Sequence, residues 1–390
     1  MVVTKTINTF LILLVLFLST TGNAAVLPPE RADVLFHSYS GGGIDIKGPA
    51  VLVRKSVGDS VSLSAKHYID TISSASIDVE VILVGASTYE EERVENSFSI
   101  DFLNEKTLMS LGFTNSEEND FIANTFSFGI SQDMFGDLTT VSMGYAHGEN
   151  DIRKTEDTGI LDPDFLEHSK MDNFNVSLTQ VITKNLIMSA AFDVTNDAGY
   201  LNNPYRMYRF PNAIDSSVFD QKTEVYPETR TSNALALRSR YFLPYRAALH
   251  AELRTFQDSW GITGNNLEIG YTHPFSDNWI FETHYRTYAQ TKATFYSDLF
   301  ATEDAQNFMA RDKELSTFNN STIGFGVSYE FAKSEGEAFI DKASVNFKFD
   351  HIQFNYEDFR DARQTSFTPG TEPLYKFNAN VMQLFVSVWF

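Results

Sequence analysis

His250, Glu252 and Arg254 fall at every second position of one segment, and Glu282, His284 and Arg286 repeat the pattern in another. Arg238, Arg240, Glu268, Lys348 and Asp350 stand in neighbouring segments of the same type. A histidine beside carboxylates is the minimum for acid–base chemistry. The chain has no Gly-x-Ser-x-Gly and no His-Glu-x-x-His, so neither a serine nucleophile nor a zinc protease centre is signalled. It also has no cysteine, which removes thiol and zinc-thiolate chemistry. The expectation is therefore no catalytic residue, no resident metal and no cofactor.

A different chemistry follows from the period of two. Each charged series alternates with apolar residues: His250, Glu252 and Arg254 with Leu249, Ala251 and Leu253; Glu282, His284 and Arg286 with Phe281 and Tyr285. Arg238 and Arg240 alternate with Leu237 and Tyr241, Glu268 with Leu267 and Ile269, and Lys348 and Asp350 with Phe347 and Phe349. Successive side chains of a strand point to opposite faces. These segments read as strands with one apolar and one charged face. An arginine or lysine against lipid costs about 2 to 4 kcal/mol at the midplane. If the apolar face meets lipid, the charges line a lumen and set its selectivity; the alternative is a set of ion pairs that stiffen the wall.

The elements that must position them recur along the whole chain. Paired segments lie at 50–56 with 61–69, 96–103 with 107–114, 124–132 with 138–145, and 173–182 with 186–194. Further pairs are 232–242 with 247–257, 266–273 with 279–288, and 317–331 with 342–354. Short turns join the partners, as expected of hairpins. Long polar stretches separate the pairs, at about 74–92, 148–171, 195–231, 291–316 and 356–378. Short turns at one end and long loops at the other are the asymmetry of an outer-membrane barrel. With the last strand these make fifteen, and 33–40 supplies the sixteenth; fourteen is the fallback.

The last nine residues carry Met382, Leu384, Val386, Val388 and Phe390 on one face. An amphipathic final strand ending in Phe resembles the signal read by the barrel assembly machinery. Residues 1–24 hold one early charge, Lys5, an apolar run over 10–18 and the small residues Gly22 and Ala24, the layout of a secretory signal. The expected division is thus a signal peptide, 1–24, and one barrel domain, 25–390. Removal of the signal moves the net charge from −21 to −22, which disfavours nucleic acid as a partner. Lipid, lipopolysaccharide, the assembly machinery and a periplasmic partner are the partners expected.

The segments 31–39, 73–79, 203–206, 241–250 and 310–316 together resemble an uncharacterised family of exported Gram-negative bacterial proteins, classed as a domain of unknown function and regarded as outer-membrane β-barrels. The resemblance covers essentially the whole mature chain and brings no catalytic residues. It implies a periplasmic redox neighbourhood. Two functions compete: a porin-like channel with a charged polar lumen, and a non-conducting scaffold that anchors or sheathes a periplasmic or surface partner. Arg206 and Arg209, in the longest loop, are expected to constrict the lumen. The acidic groups around Glu92 and Glu95, Glu117 to Asp120 and Asp151 to Glu167 are expected to form a solvated rim, since none has calcium-loop spacing.

Overall fold

A computed structural model describes residues 26–74, 89–155, 160–331 and 340–390. The expected signal peptide lies outside them. The strands are β1 (Arg31–Gly41), β2 (Ile44–Val57), β3 (Val61–Ser74), β4 (Tyr89–Asn104), β5 (Thr107–Glu117), β6 (Phe121–Met134), β7 (Thr139–Thr155), β8 (Leu161–Thr183) and β9 (Leu186–Gly199). They continue with β10 (Met207–Pro211), β11 (Phe219–Thr223), β12 (Thr229–Phe242), β13 (Ala248–Asp258), β14 (Thr263–Pro274), β15 (Trp279–Gln290), β16 (Phe318–Phe331), β17 (Lys342–Arg360) and β18 (Leu374–Trp389).

Sixteen of these close into one antiparallel barrel, and β10 with β11 forms a separate hairpin. β1 closes the ring: Arg31 pairs with Trp389 of β18 and with Arg54 of β2. Closure leaves no unpaired strand edge, the condition for a sheet to cross a bilayer. Residues 33–40 therefore supply the sixteenth strand, and the turn at Gly42 and Gly43, both at positive φ, returns the chain at once.

The alternating pattern sorts side chains as a membrane requires. Phe98, Leu111, Phe126, Phe128, Leu237, Leu253, Ile269, Tyr285 and Leu384 are large apolar residues left exposed on the outer face. Polar cross-strand pairs bound this belt. At the upper edge His67, Asn96, Asn115 and Asn124 are successive register partners across β3 to β6, with His67 Nδ1 2.8 Å from Asn96 Oδ1. At the lower edge Thr107 pairs with Gln132, and Thr139 Oγ1 donates to Gln180 Oε1 at 2.7 Å. On β6 only Phe126, Phe128 and Ile130 face outward between Asn124 and Gln132. That stretch is about 26 Å at about 3.3 Å per residue, the scale of the apolar band of an outer-membrane barrel. The protein is an outer-membrane β-barrel.

The expected loop asymmetry holds with corrections. The stretch 148–171 is mostly strand, because β7 runs to Thr155 and β8 starts at Leu161. Polar pairs line that extension: Asp151 faces His168 and Glu149 faces Lys170 on its outer face. Three connections at the long-loop end, 42–43, 118–120 and 259–262, are short. Glu95 and Asp120 are not on a solvated rim: both are buried, Glu95 on β4 between Lys66 Nζ at 3.0 Å and an Arg93 guanidinium nitrogen at 3.1 Å. Glu156 and Asp157 lie outside the described residues.

Candidate functional site in the barrel interior

The inner face of β12 to β17 carries the charged series in three rows set by the register. Arg238, Glu252, Glu268 and Arg286 are successive partners in the first. Arg240, His250, Gly270, His284, Gly324 and Asp350 make the second. Glu282, Gly326 and Lys348 belong to the third. All the series expected to share a face do so, opposite the exposed Leu237, Leu253, Ile269 and Tyr285. Arg254 lies one row higher on β13, in register with Asn266.

Basic side chains and carboxylates pair along the stripe. Arg238 Nε donates to Glu252 at 2.5 Å, His250 Nε2 is 3.5 Å from Glu268, His284 Nε2 is 3.4 Å from Asp350 and Lys348 Nζ is 3.5 Å from Glu282. Two of these pairs span an intervening strand, β16, and glycine makes that possible. A Cβ on Gly324 would lie 1.9 Å from His284 Cε1 and 2.3 Å from Asp350 Oδ1. Gly270 clears the same space for His250, whose ring a Cβ there would meet at 2.0 Å. The paired side chains keep from 25% to 39% of their surface accessible, so the described residues do not fill the interior at this level.

Half a ring away the wall is different in kind. The inner face of β5 to β8 presents Ser110, Gly129, Gly144 and Asn175 in one register row and Thr114, Thr125 and Gly148 in another. These side chains are small and uncharged. They give hydroxyls and amides that both donate and accept.

Above the stripe, at the long-loop end, segments 200–228, 291–317 and 361–373 pack into a roof. Segment 200–228 leaves the wall between β9 and β12, yet Tyr205 donates to Asp120 beyond β6 and accepts from Thr155 N at 2.7 Å. In the other direction Arg209 reaches Glu372, between β17 and β18, at 2.5 Å. Contacts that far apart on the ring require the segment to cross the mouth. The roof has an apolar centre of Tyr226, Trp260, Ile262, Phe295, Tyr296 and Leu315.

Four cations and four carboxylates are sealed in the roof: Arg206, Arg209, Arg311 and Lys313 with Glu224, Asp298, Asp312 and Glu372. Arg206 donates to Asp312 at 2.8 Å, and Arg209 to Asp298 and Glu372, both at 2.5 Å. Arg311 stacks over Phe359 at 4.4 Å and lies 3.1 Å from Asp298. Arg206 and Arg209 are only 2% and 1% exposed. They were expected to constrict the lumen; they lie in the segment that crosses the mouth, with their charge paired inside the roof. Burial and the nearby Asp312 push Glu224 up to about 7, and burial with the neighbouring Arg206 pulls Lys313 down to about 8.

An aromatic layer separates roof from stripe. Tyr288, Asn320, Phe354 and Phe377 form a register row on β15 to β18, with the rings of Phe354 and Phe377 stacked at 4.5 Å. Gln290, next above Tyr288 on that face, donates to the roof carbonyls of Glu314 and Ser316. Sequence reading missed this row, since its members sit where strands were expected to give way to loops. Their parity with Arg286 and Asp350 was the available signal.

A family profile described as "Protein of unknown function (DUF3570)" matches residues 85–341. The chain belongs to the DUF3570 family. No curated protein matches this DUF3570 chain. Among solved structures it is similar to a bacterial polysaccharide outer membrane secretin, at 8% identity and a TM-score of 0.49 over 92% of this chain and 98% of that one. OpdK of Pseudomonas aeruginosa with vanillate aligns at 9% identity and a TM-score of 0.43, over 94% and 100%. The siderophore receptor PirA of Acinetobacter baumannii aligns at 7% and 0.47 over 93% of this chain, which spans 60% of the receptor's length. The DUF3570 match covers β4 to β16, so it takes in the roof segments 200–228 and 291–317 as well as most of the charged stripe.

Proposed function

We propose that this protein is a solute channel of the outer membrane whose charged inner wall is its selectivity path and whose roof restricts the outer mouth. The observation that carries the reading is a contrast in accessibility. Charges of the stripe remain about one-third open to solvent-sized space, whereas the charges of the roof are sealed. Wall charges of both signs in a wet lumen act on passing ions. Buried compensated pairs hold loops in one arrangement.

A channel is favoured over an enzyme because the His–carboxylate pairs are spread along the wall as ladder contacts, and no nucleophile motif accompanies them. The roof itself favours the second reading, a barrel that does not conduct and serves a partner. Reversal potential across a salt gradient, measured on refolded protein in a planar bilayer, separates the two. The channel reading expects brief openings whose ion preference moves toward cations in Arg238→Gln and toward anions in Glu282→Gln. Openings with an unchanged preference in both variants would remove the stripe from the path.

A further inference from the structure

The lower edge of the outer belt differs between the two halves of the ring. On β12 to β16 it is a girdle of rings: Tyr241, Tyr271, Trp279 and Tyr329 stand on the outer face, and Trp279 packs on its register partner Tyr329 with centroids 4.8 Å apart. Such girdles mark where a barrel meets the headgroups of lipid. On β4 to β8 the same level holds Asn104, Thr107, Gln132, Thr139 and Gln180, and among the described residues no Tyr or Trp faces outward there. The belt is also narrower on this side. β5 has only Met109, Leu111 and Phe113 outward between Thr107 and Asn115, and β4, β7 and β8 match β5 and β6 in this. β16, by contrast, carries five outward apolar or aromatic residues, Ile323, Phe325, Val327, Tyr329 and Phe331. Within the narrow face Leu63, Phe98, Ile100, Leu111 and Phe126 border a shallow hollow of about 780 Å³.

We propose that the β4 to β8 face is where a second copy of this chain packs, an inference independent of whether the lumen conducts. A belt shorter than the rest of the ring strains the lipid around it, and association of copies relieves that strain. A copy folded alone in a vesicle has lipid over this face; a second copy displaces it. Copies inserted in one direction are related by an axis along the membrane normal, so residues of equal height meet. Each level of this face accepts its own image. Phe98, Leu111, Phe126 and Met143, all exposed, put apolar side chains against apolar side chains. The amides and hydroxyls of the edges both donate and accept, so they pair with their like, which a row of one charge could not do. An aromatic and Met centre inside a polar rim is also the composition of a protein interface. Five strands about 4.8 Å apart, over about 26 Å of belt, offer roughly 600 Å² before side-chain relief, on the scale of the roughly 800 Å² each partner gives to a standard interface.

The chain has no cysteine, so single introduced thiols report contact between copies without background. Phe98→Cys, Leu111→Cys, Phe126→Cys and Met143→Cys sample the face, and Leu253→Cys and Ile269→Cys, outward on β13 and β14, sample the opposite wall. Each is oxidised in intact outer membranes and run without reductant, with heat-modifiable migration to establish folding. At least one position of the face is expected to give a disulfide-linked species of twice the chain's mass, at a yield at least fivefold above both opposite-wall positions. Leu111→Trp fills the hollow yet suits lipid as well as leucine does, so combined with a thiol that links it should cut the yield at least fivefold, whereas Leu253→Trp should leave it unchanged. Where the thiol at 111 is the one that links, Phe126→Trp takes its place. No linked species from the face, equal yields from both walls, a product whose second component is another protein, or a yield unmoved by the tryptophan would overturn the proposal. Conductance plays no part in the readout, so these results leave the channel reading as it stands.

Discussion

His284 Nε2 lies 3.4 Å from Asp350 Oδ1, and it reaches that partner over Gly324, which occupies the strand between them. Their spacing depends on a side chain being absent. Gly324→Ala would place a methyl 1.9 Å from the imidazole and force it off its rotamer, an overpacking that costs about 1 to 3 kcal/mol. Gly129, also on the inner face, has its nearest neighbour at 3.8 Å and should accept alanine freely. Urea midpoints of the two variants, read by heat-modifiable migration, should separate, with Gly324→Ala the weaker.

Arg209 is the roof's central pin. Removing it as Arg209→Ala leaves Glu372 without its buried cation and Asp298 with Arg311 alone, a change worth about 3 to 5 kcal/mol where a buried pair is broken. The cost falls on the roof, because the barrel ladder is untouched. Limited proteolysis should cut within 200–228 or 361–373 at least tenfold faster than in the wild type, while the strands stay protected.

Glu224 gives the roof a pH dependence of definite sign. Its folded value of about 7 lies above its ordinary 4.5, so its contribution is fully present below pH 4.5 and is lost as pH rises through 7. Lys313 works in the other direction and higher. Its folded value of about 8 lies below 10.5, so its buried charge is a cost below pH 8 that lifts as pH rises beyond it. The roof should therefore loosen between pH 5 and 7.5. Protection factors at the Val225 and Met309 amides, which bridge the two roof segments, should fall over that range in the wild type and stay level in Glu224→Gln.

Adjacent residues of β6 report the two faces. Phe128 is exposed to lipid, and Ser127 points inward at the small-residue wall. Phe128→Arg should cost about 2 to 4 kcal/mol of folding free energy in lipid vesicles. Ser127→Arg should cost under about 1 kcal/mol, since its charge stays in water.

The wall was legible in the sequence because lipid demands strict alternation. Leu249, Leu253, Phe281 and Tyr285 fixed the face of every charge between them, and Asp33 to Ser40 was required once an even strand number was imposed. The roof was not legible, for a physical reason: Arg209 meets Glu372 across 163 residues, and no local period records such a contact. Its loops are stabilised by buried pairs and an apolar centre of irregular spacing. Arg206 and Arg209 could be placed in a loop that constricts the lumen, but their partners could not be assigned. The aromatic row fell between these cases: Phe354 continues the inward parity of Asp350, and Phe377 ends a segment that looked like loop.

The most direct test of the central claim, an aqueous charged lumen held shut by a removable roof, is single-channel conductance of Arg209→Ala beside the wild type, each confirmed as folded. The account predicts larger and longer openings in the variant, at least threefold in mean current, with the wild-type dependence on Glu282 and Arg238 retained. A folded variant with a loosened roof and openings no larger or longer than those of the wild type would contradict it.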